Sequence, residues 1–231
     1  MDFCSLLRVR PGVTAVIGSG GKTTLLAVLA RALTGAGRRV ILTTTTHIYP
    51  FAGMPATDGD AAAVAAALAQ SPAVCVGAPG PQGKLCAPAL PMTALAALAD
   101  YVLVEADGAH RCPLKAHAPH EPAIPPGAAR VVCVAGAAGF GRPVAEAVHR
   151  PGRFAALTGA ALTDPVTPAL AARVLNAEHL ADFVFLNQVD DLREDGGLRD
   201  ARAFAAALAA PCAAGSLRQG LAVPLPRGGT P

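Results

Sequence analysis

Hydrophobic positions in this chain fall into two alternating patterns. Short runs that are apolar on successive residues occur at 13–17, 39–44, 73–77, 101–105, 130–135 and 182–187. Between them lie longer segments rich in alanine and leucine: one that starts at Thr23, and others at 60–69, 92–99, 151–157, 168–175 and 198–209. The short runs predict strands buried on both faces, and the longer ones predict helices that cover them. Such alternation predicts an α/β fold with three layers, a doubly wound and mainly parallel sheet between helices. Two proline-rich segments, 78–91 and 112–127, break the rhythm and are expected to be surface loops.

At 231 residues the chain is long enough to bury a real core, and one domain over 1–231 is the expectation. Hydrophobic residues are 52% of the total, yet no apolar run approaches the ~18 residues needed to cross a bilayer, so a membrane role is not expected. The first residues, MDFCSLLRVRPG, show no export signal, which predicts a cytoplasmic protein. Six scattered cysteines with no C-x-x-C pair are expected to be reduced thiols. A net charge of +3 without a basic, aromatic-interleaved stripe gives no support for nucleic acid as a partner.

Chemistry concentrates where the predicted strands end. After the first comes GSGGKTT, residues 18–24. A standard phosphate loop has a glycine six residues before the lysine, and Val16 stands there instead. The rest fits: Gly18, Ser19, Gly20 and Gly21 provide backbone amides, Lys22 a cation, and Thr23 and Thr24 hydroxyls at the start of a helix whose dipole favours an anion. Thr23 is expected to meet magnesium. At the end of the second strand, Thr45 and Thr46 are candidates to bond phosphate or metal-bound water, with His47 a weaker one.

The fourth run ends in Glu105-Ala106-Asp107-Gly108, and a two-residue period puts both carboxylates on one face, where a magnesium ion would relieve their repulsion. Directly after it, His110, Arg111, Lys115, His117, His120 and Glu121 crowd one stiff segment. A transition-metal site at His110, His117 and His120 is one reading of it; a cationic cover over a polyphosphate, with Lys115 and Arg111 as charges, is the favoured one. The last predicted strand closes with Asn187-Gln188-Val189-Asp190, a partial match to N-K-x-D, in which the carboxylate reads guanine; an ordinary turn is the alternative.

The segments VIGSGGKTT, TTTTHI, VEADGAHRCPLKAHAPHEPAIP, VHRPGRF, FLNQVDD and AAGSLR, taken in that order, resemble the YqeC family, accessory proteins of selenium-dependent molybdenum hydroxylases. The compact loop also looks like the ATP loop of the Mur peptide ligases. The resemblance implies a nucleotide-dependent role in maturing or inserting a molybdenum- or selenium-bearing cofactor, with such a hydroxylase as partner. It also adds Arg150 of VHRPGRF as a phosphate contact; the acidic residue that tends to follow H-R-P is replaced here by Gly152.

Together these features predict a P-loop-type, magnesium-dependent nucleoside triphosphatase using ATP or GTP. Lys22 and the loop amides hold the outer phosphates, Thr23 and Asp107 the ion, and Glu105 a water or a further metal bond. Lys115 and His117 are expected to face the transferred phosphoryl group or the partner substrate. An ATP-dependent ligase or kinase, and a nucleotide-switched chaperone with little catalysis, are the rival readings.

Overall fold

A computed structural model describes residues 2–109, 112–193 and 196–226. The N-terminal half runs α1 (Phe3–Leu6), β1 (Gly12–Gly18), α2 (Lys22–Gly35), β2 (Val40–Thr44), β3 (His47–Ile48), β4 (Ala56–Thr57), α3 (Ala61–Gln70), β5 (Ala73–Val76), β6 (Ala78–Pro79), β7 (Leu85–Cys86), α4 (Met92–Leu98) and β8 (Tyr101–Glu105). There follow β9 (Leu114–Lys115), β10 (Arg130–Gly136), α5 (Val144–Ala147), β11 (Val148–His149), α6 (Pro151–Thr158), α7 (Pro168–Glu178), β12 (Phe183–Asn187), α8 (Gly197–Ala207), β13 (Cys212–Ser216) and β14 (Leu221–Leu225). Every strand and helix expected from the apolar pattern is present, with ends shifted by at most three residues.

Among the described residues, nine strands make one sheet in the order β14-β13-β12-β10-β1-β8-β2-β5-β4. All neighbours are parallel except the edge pair β13 and β14. Successive residues of each central strand pack into different cores. Val16, Leu42, Leu103, Val132 and Phe185 meet Leu25, Leu26 and Leu29 of α2 on one face. On the other, Ile41, Val102 and Val104 meet Val64 of α3 and Leu95 of α4, while Ile17, Cys133 and Val184 meet Phe154 of α6, Ala172 of α7 and Phe204 of α8. Helices therefore cover both faces, which is why the strands read as unbroken apolar runs. No helix among the described residues is long and apolar enough to cross a membrane.

Two expectations need correction. The proline-rich segments are not simply surface loops. Residues 78–91 hold β6 and β7, which pair with each other and, through β7, with β3 in a small three-stranded sheet; prolines at 79, 81 and 88 keep β6 and β7 short. In 112–127, β9 pairs with β11, the Pro113 carbonyl accepts from the Gly136 amide at 2.8 Å, and residues 113–118 are buried. Second, 183–187 is not the last strand. The sequences of β13 and β14, CAAGS and LAVPL, carry alanine, glycine and proline, which have little intrinsic preference for strands.

Parallel register aligns the carboxyl ends that matter. Val16 lies beside Glu105, Glu105 beside Thr44, Gly18 beside Val134, and Gly136 beside Asn187. One row across the sheet thus carries the glycine loop, an acid, a hydroxyl and an amide, at the position where doubly wound sheets place ligands.

Candidate functional site

The loop after β1 bends through Gly18, Gly20 and Gly21, all at positive φ. Part of this need for glycine is internal packing: a Cβ on Gly20 would lie 2.6 Å from the Gly136 backbone, and one on Gly21 would lie 2.4 Å from the Asn187 side-chain nitrogen. Ser19 is buried, its amide donates to the Val134 carbonyl, and its hydroxyl donates to the Cys112 carbonyl. Among the described residues, no acceptor engages the backbone amides from Gly20 to Thr24. Five donors and the positive end of a 14-residue helix therefore face the same space.

Lys22 does not extend into that space. Its ammonium donates back to the Gly18 carbonyl at 2.8 Å and lies 3.0 Å from Asp107 Oδ1, though not in hydrogen-bond geometry. Asp107, with its side chain fully buried, is the hub of the site. Its Oδ2 accepts from the Gly18 amide at 2.9 Å, pairs with Lys115 at 3.1 Å, and meets His117 Nε2 at 2.9 Å. Burial opposes ionisation of Asp107, but the His117 hydrogen bond, the two ammonium groups and the Gly18 amide outweigh it and bring its pKa down to about 2.

Behind the hub, Lys115 also pairs with Glu121, which holds Arg150 on its other oxygen. His117 donates its backbone amide to Glu178 at 2.6 Å and places Nδ1 2.7 Å from the same carboxylate. Burial lowers the pKa of His117, yet two carboxylate partners more than reverse this and raise it. Burial raises that of Glu121, and Lys115 and Arg150 bring it below the ordinary carboxylate value.

Glu105 has a different environment. Its Oε2 accepts from the Thr23 hydroxyl at 2.8 Å. Burial raises its pKa, and Asp107 adds to the rise while Lys22 and Thr23 offset only part of it. This carboxylate is under-compensated. The Thr44 hydroxyl donates to the Glu105 carbonyl, Thr46 sits beside Thr44 at the mouth, and the Thr45 hydroxyl is buried without a partner among the described residues.

Lys22, Thr23, Thr24, Thr46 and Glu105 line an open cleft of about 1250 Å3. Asn187, Asp190 and Ser216 close one end, and His47, Tyr49 and Lys84 the other. Asn187 is spent on architecture: its Nδ2 donates to the Gly20 carbonyl at 2.7 Å and its Oδ1 accepts from the Leu217 amide at 3.0 Å. Asp190 is half exposed, takes the Ser216 hydroxyl at 2.5 Å and pairs with Arg218 at 3.1 Å.

Of the residues singled out in the sequence, the loop, Thr23, Thr24, Thr46, Glu105, Asn187 and Asp190 meet at this cleft, whereas Lys115, His117 and Arg150 stand behind Asp107. Lys22 acts on both carboxylates, lowering the pKa of each. Thr23 bonds Glu105 directly. His117 is buried while the His120 side chain is 77% exposed, so these two do not converge. His110 and Arg111 lie outside the described residues. Among the described residues no group of three or more His, Cys, Asp or Glu is placed to hold a metal ion. Glu178 was missed: it lies 61 residues from His117, in a helix with no motif.

A family model described as YqeC protein matches residues 14–152, which span the loop, Glu105, Asp107, His117 and Arg150 and stop short of Asn187. An uncharacterized protein YqeC of Escherichia coli (strain K12) is 39% identical over 180 residues, 74% of this chain and 69% of that protein. With more than half its length matched, the chain belongs to the YqeC family.

Proposed function

We propose that this protein is a magnesium-dependent nucleoside-triphosphate-binding protein of P-loop type that hydrolyses or transfers the γ-phosphoryl group. The observation behind this reading is the loop at the end of β1: five amides opening α2 with no acceptor among the described residues, next to a Thr23–Glu105 pair, at a cleft large enough for a nucleotide. The donor set suits magnesium. Thr23 and Glu105 offer hard oxygens, and the raised pKa of Glu105 marks a carboxylate short of positive charge. Asp107 already holds two ammonium groups, an imidazole and an amide, and does not suit the ion. When bound, magnesium neutralises charge on the outer phosphate oxygens. Glu105 and Thr23 would hold it, and the amides and Lys22 would fix the phosphates.

GTP fits better than ATP. The strand that ends at Asn187 lies two positions from β1, roughly 10 Å at the usual strand spacing, and Asp190 lies just beyond it. A carboxylate only accepts, so it suits the ring N–H and exocyclic amine of guanine and finds no such pair on adenine. Asn187, tied to Gly20 and Leu217, would hold loop and base pocket together rather than read the base. The link to maturation or insertion of the cofactor of selenium-dependent molybdenum hydroxylases comes from the family resemblance. Nucleotide-dependent co-purification with such an apo-hydroxylase would test that link.

Calorimetric titration with GTP and with ATP, each with and without magnesium, tests the core reading. Lys22→Ala is expected to abolish measurable binding of both, and unchanged affinity refutes the loop assignment. Asp190→Ala should weaken GTP by about 1–3 kcal/mol and leave ATP nearly unchanged. Equal losses would reduce residues 187–190 to a turn.

A further inference from the structure

Only three of the 19 basic Lys and Arg residues in this chain are lysines: Lys22, Lys84 and Lys115. Two of them converge on Asp107. The third lines the same cleft from the opposite wall. Where a surface needs only positive charge, this sequence uses arginine; a lysine supplies instead a compact point charge on a slim stem.

Lys84 is firmly mounted. It closes a turn in which the Gly80 amide donates to the Lys84 carbonyl at 2.7 Å and the Lys84 amide to the Pro81 carbonyl at 3.1 Å, and the turn is anchored by pairing of β6, β7 and β3. Its ammonium sits 5.2 Å from the centre of the Tyr49 ring, and that ring is 54% exposed. Of the cleft residues that this wall contributes, His47, Tyr49, Pro81, Gln82 and Lys84, none is acidic. An exposed aromatic face beside a cation held on this turn offers a flat anion both a stacking surface and a charge.

Strand order shows that the nucleotide would not fill this wall. In the reading above the base lies over β10 and β12, to one side of β1. The small sheet contacts β2 and is entered directly from β5, so it lies on the other side of the loop, two to three strands or roughly 10–14 Å away. We infer that this half of the cleft binds a second, anionic small molecule: its phosphate or carboxylate rests on Lys84 and its flat unsaturated part lies against Tyr49. Which ligand shares the cleft rests on the nucleotide reading; the anion site itself does not.

The test uses the whole protein saturated with a non-hydrolysable GTP analogue carrying a fluorescent ribose label. Pyridoxal 5′-phosphate is the probe, being flat, anionic and an aldehyde: the lysine amine condenses with it, water leaves, and borohydride hydride reduces the imine to a secondary amine that peptide mapping locates. Expected is labelling of Lys84 that saturates with reagent, is suppressed about tenfold by pyrophosphate, and no longer saturates in Tyr49→Ala. Labelling that rises linearly with reagent, or that ignores pyrophosphate, overturns the inference. The fluorescent nucleotide reports separately: if it fails to bind while Lys84 still saturates, the nucleotide reading falls and the anion site stands.

Discussion

Asparagine in place of Asp107 keeps the shape of the hub and removes its charge. In the folded protein the carboxyl pKa is about 2 against an ordinary 3.8, which corresponds to roughly 2 kcal/mol of stability carried by the ionised form. The variant should lose more than that at pH 7. It leaves Lys22 and Lys115, both buried, without their shared anion, and breaking a buried ion pair from one side costs about 3–5 kcal/mol. Because the folded pKa is depressed, the wild-type advantage is complete above the unfolded value of 3.8 and fades as pH falls toward 2, with about half of the carboxylate contribution gone by pH 3. Urea denaturation of both proteins from pH 7 to pH 3 measures the difference directly. A gap below about 1 kcal/mol at pH 7, or one that does not narrow with acid, would refute the assignment of Asp107 as an ionised hub.

Two other predictions probe the supports of the site. Asn187→Ala removes the bonds to the Gly20 carbonyl and Leu217 amide, so it should cost about 1–3 kcal/mol in urea denaturation and weaken GTP and ATP alike in calorimetry; a loss confined to GTP would make Asn187 a base reader after all. His117, whose folded pKa is raised, contributes stability that is fully present below its ordinary 6.5 and is lost as pH rises through the folded value. The stability difference between wild type and His117→Gln should therefore shrink from pH 6 toward alkaline pH, and a difference that grows would contradict an imidazolium between Asp107 and Glu178.

The sheet was legible because burial on both faces leaves continuous apolar runs, and the loop because its glycines, lysine and threonines are contiguous in the chain. Strands β13 and β14 were not, since Cys212–Ser216 and Leu221–Leu225 take their place from partners rather than from propensity. Within the site, residue types were readable but roles were not. Glu105 and Asp107 are two residues apart, yet one faces Thr23 and the other sits among Lys22, Lys115 and His117; the contacts that tell them apart from the loop side, Thr23 to Glu105 and Gly18 to Asp107, span 82 and 89 residues. Asn187 looks like a base contact in its tetrapeptide; only the Gly20 carbonyl, 167 residues away, shows where its amide is used.

The double loading of Asp107 bears on how the loop would receive an anion. A phosphate entering the free amides would compete for Lys22, and in a site with a single ion pair its success would strand a buried carboxylate. Here Lys115, His117 and the Gly18 amide remain on Asp107 after Lys22 leaves. Lys115 is held in turn by Glu121, which Arg150 fixes, and His117 by Glu178, so neither would follow Lys22 outward. In the proposed reading the network behind the loop, which the sequence suggested as a cationic cover over the ligand, would act from underneath: it would keep Asp107 ionised through Oδ2 while Lys22 changes partner. Lys115→Ala would remove that reserve. In it, nucleotide binding should weaken even though Lys115 lies outside the cleft, and the Asp107 carboxyl pKa, followed by carbon-13 NMR with and without nucleotide, should rise on binding instead of staying low.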